Sequence, residues 1–206
     1  MLVLETARLI VRPFVMDDLE DAHRLLDVDL HWSGLEVNLE QRRRRLQFYI
    51  DLADWADTGR LYGYRAVLVR PTSRLIGICG LLPRLWSPRL KGLLGMDNAD
   101  GGLATLELEL GYALASDQRG RGYATEAVGA LVEYAFRELQ VRRLVVGTGR
   151  SNAGSIALMR RIGMRTAGNP VAEWPEVVGV LENGRADRGP STTTQLSSKN
   201  TTSGRV

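Results

Sequence analysis

The chain has 206 residues, of which 44% are hydrophobic and 25% charged, a composition suited to one globular domain with a core of its own. Its 27 basic and 24 acidic residues leave a net charge of +3, which argues against direct nucleic-acid binding and suits local basic sites for anionic ligands. One cysteine, Cys79, and two histidines, His23 and His31, exclude a disulfide scaffold and a cysteine metal site and argue against a histidine-rich metal centre.

In chain order the first element is a short strand ending in "RLIVRPF", with Leu9 and Val11 apolar. A helix then starts at Asp17–Asp18, with Leu19, Ala22, Leu25 and Leu26 at helical spacing. The spacing predicts a second helix over 39–57, with Leu46, Tyr49, Ile50 and Ala53 on one face. Segments 62–70 and 74–83 read as two strands around the turn "PTS". The stretch 84–102 contains Gly, Pro and Asn and reads as an irregular loop insertion. "ATLELELGYAL" (104–114) alternates apolar and acidic residues, which is a strand. A helix of about four turns begins near Tyr123, followed by a strand at 142–148. The next helix, 153–162, stops at Gly163, and a last strand covers 176–183. From Gly184 the composition changes: nine of the thirteen residues from Ser191 to Ser203 are Ser or Thr, so a disordered tail is expected after an α/β domain of residues 1–183. No signal peptide pattern and no run of about 18 apolar residues is present, so a cytoplasmic protein without a membrane span is expected.

The segment "DQRGRGYATEA" (117–127) carries the strongest chemical signal. The first N–H groups of a helix have no partner inside it, and they carry the positive end of the helix dipole. Gly120 and Gly122 let the preceding backbone curl and let a ligand approach. Together with Arg119 and Arg121 this makes a cradle for a phosphate or pyrophosphate. A P-loop would need a Lys-Ser/Thr pair after its glycines, which is missing. A dinucleotide fingerprint would need a small residue at Thr125 and an acid where Arg142 and Arg143 stand.

The ordered set "ELELGYAL", "RGRGYA", "RLVVGT" and "SNAGSIALMRRIGM" resembles the GNAT N-acetyltransferases, and within them the branch of ribosomal-protein N-terminal acetyltransferases. The branch commonly opens with a segment like "ETARLIVRPFVMDDLEDAHRLL". The resemblance covers residues 5–183 and implies an α/β fold: a central mixed, mostly antiparallel twisted sheet with helices on both faces. A splayed parallel strand pair then forms the cleft for acetyl-CoA, the co-substrate. It further implies pyrophosphate on the amides from Arg119 through Gly120, Arg121, Gly122 and Tyr123 to Ala124. The pantetheine arm would run beside Ala113, Leu114 and Ala115, and Asn152 would contact the cofactor. The implied reaction is direct attack by an acceptor amine on the thioester, with no metal and no acyl-enzyme, so Cys79 is expected to be a small buried hydrophobe.

Such an attack needs a group to take a proton from the amine, since amines are largely protonated at neutral pH. Glu107 and Glu109 share one strand face, opposite Leu106, Leu108 and Leu110. Glu109 fills the acidic slot before "GY" that is frequent in the branch and is the preferred base. For the departing thiolate, many family members use a tyrosine where this chain has Met159. The branch that the chain resembles uses a serine instead, here Ser155, whose competing role is to satisfy free donors at the helix start. Tyr112 is a reserve candidate, although its strand phase points away from Glu109. The run Arg42–Arg45 reads as a solvated helix face, Trp86 as a cap on the acceptor cleft or an oligomer contact. An amine acceptor is the implied partner, and a homodimer is left open. The rival to an enzyme is a domain of this fold that binds acyl-CoA as a sensor without turnover.

Overall fold

A computed structural model of the chain describes residues 3–32, 35–55, 63–96, 103–171 and 174–184. The Ser/Thr-rich tail from residue 185, the end of the expected insertion (97–102), the end of the second helix (56–57) and Tyr62 lie outside the described residues. The described strands form one sheet: β1 (Leu4–Glu5), β2 (Leu9–Arg12), β3 (Gly63–Val69), β4 (Arg74–Trp86), β5 (Thr105–Leu114), β6 (Arg143–Thr148), β7 (Arg165–Gly168) and β8 (Val177–Glu182). Their order across the sheet is β1-β2-β3-β4-β5-β6-β8-β7. Neighbours are antiparallel except β5 and β6, which run parallel.

Alternation along the strands divides the core between the two sheet faces. On one face Val67, Cys79, Leu81, Leu110 and Leu144 pack under two helices, α4 (Tyr123–Arg137) and α5 (Ala153–Arg161). The buried residues of α4, namely Ala127, Val128, Leu131 and Ala135, recur every three or four positions, which is what makes this segment a helix with one apolar stripe. Each large side chain of this kind contributes roughly 1.5–3 kcal/mol by leaving water.

On the other face, Ala66, Leu68 and Ile78 lie under Phe14, Leu19, Leu25, Leu26 and Leu46. These come from α1 (Leu19–His23), α2 (Leu39–Trp55) and the segments beside α1. The chain leaves α1 through a wider π-helical turn, Arg24–Asp29, in which the Leu30 N–H donates to the Leu25 carbonyl at 3.1 Å. That turn aims Asp27 inward. Arg42 donates to both its oxygens, Nε to Oδ2 at 2.8 Å and Nη2 to Oδ1 at 2.5 Å, and His23 Nδ1 lies 2.9 Å from Oδ2. Arg42 is only 2% exposed. The expected solvated run of four arginines is therefore broken at its first member, which helical phase turns into the core.

The expected loop insertion is largely ordered structure. β4 continues to Trp86, which pairs with Thr105 of β5. A short helix, α3 (Pro88–Leu93), follows, and the Ser87 side chain accepts from the Leu90 N–H as its cap. Ser followed by Pro is a helix-start signal, which the sequence reading missed when it counted that proline as a mark of irregular structure. Trp86 is buried with Leu94, Met96, Val145, Val178 and Val180 in a third apolar cluster, so it neither caps a cleft nor faces a partner. Strands β1 and β7 escaped the sequence reading: β1 has only two residues, and β7, RTAG, lacks the large apolar side chains that mark β2. Gly80 is required by close approach: a Cβ there would lie 2.2 Å from the Gly63 carbonyl oxygen. No described helix is long and apolar enough to cross a membrane.

Candidate active site

The parallel pair creates the site. β5 and β6 share a single register pair, Glu109 with Val145, and beyond it they diverge while α4 crosses over between them. The gap is a cleft of about 720 Å³. Tyr112, Ala113 and Leu114 form one wall, the segment from Ser151 to Ser155 the other, and the start of α4 the floor. Leu30 and Trp32 reach in from the opposite side of the sheet.

At the floor, Gly120 and Gly122 have φ of 74° and 80°, the left-handed region that glycine adopts without penalty. The first α4 bond runs from the Glu126 N–H to the Gly122 carbonyl at 3.0 Å, and no side chain caps the helix. The N–H groups of Tyr123, Ala124 and Thr125 therefore have no acceptor within the helix. A Cβ on Gly120 would meet no protein atom within 4 Å, so the approach is open. These are the features a pyrophosphate needs.

Two arginines of this loop do structural work. Arg119 turns back, its Nε donating to the Leu114 carbonyl at 3.3 Å, and so ties the loop to the end of β5. Arg121 is exposed and outside the cleft wall, and its carbonyl accepts from Arg8 Nη1 at 3.0 Å. Arg8 lies 4.6 Å above the Tyr123 ring and donates through Nε to Glu126 Oε2 at 2.6 Å. Thr6 Oγ1 donates to the other Glu126 oxygen at 2.6 Å. The turn between β1 and β2 thus clamps the phosphate loop, which sequence reading missed because the partners lie more than a hundred residues apart. Arg161, also missed, lines the cleft and donates to Thr125 Oγ1 at 3.2 Å, adding positive charge beside the helix start.

Asn152 caps α5, its Oδ1 accepting from the Ser155 N–H at 3.0 Å. Ser155 is accordingly released from the capping role that competed with a chemical one. Its Oγ lies 2.8 Å from Tyr112 Oη, and both residues line the cleft. Ala115, by contrast, is packed in the core under α1 and its N–H donates to the Ile76 carbonyl at 2.8 Å, so it is off the wall that Ala113 and Leu114 form. Met159 is fully buried. Cys79 is buried as well, and desolvation pushes its thiol up to about 12, which leaves it inert at neutral pH.

The two glutamates share a strand face but differ in their surroundings. Arg143 grips Glu107 through Nε to Oε2 at 2.8 Å and Nη2 to Oε1 at 2.5 Å, and Thr105 adds a third bond at 3.0 Å. Burial raises its carboxyl, but those bonds and the charges of Arg143 and Lys91 outweigh burial and hold it below the ordinary value. Glu109 is held more loosely, with Arg84 Nε at 3.5 Å. Burial dominates there and pushes its carboxyl above the ordinary value, against the pull of Arg84 and Trp86. Glu109 sits at the register pair of β5 and β6, three residues before Tyr112 and not itself among the residues that line the cleft. It occupies the face between the clusters under α1 and under α3, beside Tyr64, whose ring meets Trp32 edge-on at 5.9 Å. Glu107 is thus a structural anion, while Glu109 has the environment of a proton acceptor. Among the described residues no group of three His, Cys, Asp or Glu side chains could hold a metal ion.

Comparison with known proteins bears on this geometry. The sequence model of the family described as "Acetyltransferase (GNAT) domain" matches residues 8–165. The N-acetyltransferase p20 of Bacillus licheniformis, whose name calls it uncharacterized, is 28% identical over 175 residues, covering 80% of this chain and 83% of that protein. YdaF of Bacillus subtilis (strain 168), named provisionally as a ribosomal N-acetyltransferase, is 30% identical over 154 residues, covering 72% of this chain and 75% of YdaF. The crystal structure of an acetyltransferase from Agrobacterium tumefaciens superposes with a TM-score of 0.63 at 28% identity, over 88% of this chain and 95% of that one.

Proposed function

This chain belongs to the GNAT acetyltransferase family, whose acyl donor is acetyl-CoA, and from that premise we propose that it acetylates a primary amine by direct attack in a ternary complex. Residues 1–183 carry the activity, in the cytoplasm, and the acceptor is a protein N-terminus or a small-molecule amine. The pyrophosphate rests on the open amides from Gly120 to Thr125, and the pantetheine arm lies along Ala113 and Leu114, between β5 and β6. The amine nitrogen bonds to the thioester carbonyl carbon, the amine proton passes to Glu109 directly or through water, and the C–S bond breaks with its electron pair on sulfur. The Ser155 hydroxyl donates to that sulfur.

The observation that carries this reading is the contrast between the two glutamates. One is locked in an ion pair, and the other is loosely held, with burial raising its carboxyl above the ordinary value, the direction that suits a general base. Thiol release from acetyl-CoA, measured against a panel of amines with products identified by mass spectrometry, tests it. The name of YdaF makes ribosomal-protein N-terminal peptides the first members of the panel; polyamines, aminoglycosides and free amino acids complete it. Acetyl-CoA binding with no acceptor-dependent thiol release across the panel would replace the enzyme by a binding module.

A further inference from the structure

The hydrogen bond between Tyr112 and Ser155 joins β5 to α5 across the inner end of the cleft. Tyr112 Oη has two acceptors in reach, Ser155 Oγ at 2.8 Å and the Ser155 carbonyl at 3.4 Å. Ser155 is 9% exposed, its N–H is already taken by Asn152, and its Oγ borders the space through which the substrate thioester must pass. A hydroxyl in this position has one proton to give, and where that proton points depends on its neighbour. If the phenol donates, the serine lone pair is occupied and the serine proton is free to turn into the cleft. If the serine donates to the phenol, nothing is left for the sulfur. The phenol is the more acidic of the two groups and the better donor. Burial pushes the phenol's pKa above its ordinary value, against the opposing pull of the bond to Ser155, so it keeps its proton throughout the neutral range.

We propose that Tyr112 is a positioning residue: its phenol donates to Ser155 Oγ and thereby aims the serine proton at the departing sulfur. The phenol transfers no proton. It holds the serine rotor and polarises it, since a hydroxyl that accepts a hydrogen bond donates a stronger one. The proposal rests on the reading of Ser155 as the sulfur's partner. The strand phase that turns Tyr112 away from Glu109 becomes its function, because base and leaving-group support belong on opposite sides of the thioester. The Tyr112 signal in the sequence lay in that phase, which kept it as a reserve candidate only.

Coenzyme A itself, with its free thiol, is the probe, and no acceptor is needed. The ionisation of the bound thiol is followed by the ultraviolet absorbance of the thiolate as pH is raised, in the wild type, Tyr112→Phe, Ser155→Ala and the double variant. A donor to the anion favours the ionised form, so Ser155→Ala is expected to lower the acidity constant of the bound thiol by about three- to tenfold. Tyr112→Phe keeps the ring and the packing and is expected to produce most of the same loss. The double variant should be no worse than Ser155→Ala alone. Coenzyme A affinity at pH 7 should stay within about threefold in all of them, since the phosphate cradle is untouched. A wild-type titration in Tyr112→Phe alongside a shifted one in Ser155→Ala overturns the positioning role and leaves Ser155 standing. Additive losses overturn it too, because Tyr112 would then act on sulfur independently. No shift in Ser155→Ala removes the Ser155 reading itself.

Discussion

Glu107 and Glu109 lie two residues apart on one strand face, and their neighbours give them opposite tasks. For Glu109→Gln, which keeps the shape and removes the base, turnover with the true acceptor should fall by roughly 10²–10⁴-fold, with acetyl-CoA affinity nearly unchanged. Raising the pH should recover part of the loss, as more acceptor arrives deprotonated. In the wild type the acid limb of kcat/KM should lie above the ordinary carboxylate value of 4.5, because burial raises Glu109; a steady-state pH profile of the two proteins checks both points, and wild-type turnover in the variant would move the role elsewhere. Glu107→Ala should instead cost stability, about 3–5 kcal/mol, because it removes one carboxylate of a buried ion pair with Arg143, whose side chain is 11% exposed. The sign with pH follows from the lowered folded value of Glu107. Its contribution is fully present above the unfolded value of 4.5 and is lost as pH falls through the lower folded value. Denaturant melts between pH 7 and 3 should show the wild type converging on Glu107→Ala at the acid end. The sequence carried the period that puts both carboxylates on one face. It could not carry the choice between them, because Arg143 reaches Glu107 from a neighbouring strand 36 residues away.

Among the elements, those with a full period were legible and those built by distant partners were not. The alternation of 104–114 and the apolar stripe of α4 each mark their element by local pattern, and both stand within a residue or two of the expected bounds. The glycines before α4 likewise announced a curled, open helix start. The π-helical turn had no such mark. It exists because Asp27 must meet Arg42 from α2, and an ordinary helical turn would aim its side chains differently. That pair pins the α1 segment to α2 and so carries Leu30 and Trp32 to the cleft wall. Arg42→Ala should therefore lower stability by about 3–5 kcal/mol, since it leaves the Asp27 carboxylate buried with only His23 beside it. The equivalent change at Arg44, 78% exposed on its side chain, should cost under about 1 kcal/mol. Urea melts of the two variants measure the difference, and similar midpoints would mean that the Asp27 contact is not what holds the turn.

At the scale of the whole molecule the sheet is nearly two sheets. Strands β1 to β5 form one antiparallel set and β6, β8 and β7 another, and the seam between them is the single pair Glu109–Val145. On the proposed reading the donor substrate lies in that seam, where its pantetheine arm would take the place of a strand. The free enzyme should then behave as two panels on a crease, with amide exchange in β6 and β8 faster than in β3 and β4. Saturating coenzyme A, at a hundred times its dissociation constant, should raise stability by about 2.7 kcal/mol. Hydrogen-exchange mass spectrometry should place most of the added protection in the β5 edge, β6 and the start of α4, and little in β2 and β3. Uniform protection across both panels would mean that the seam is already rigid. On the proposed reading coenzyme A would complete the sheet that folding leaves open along one seam.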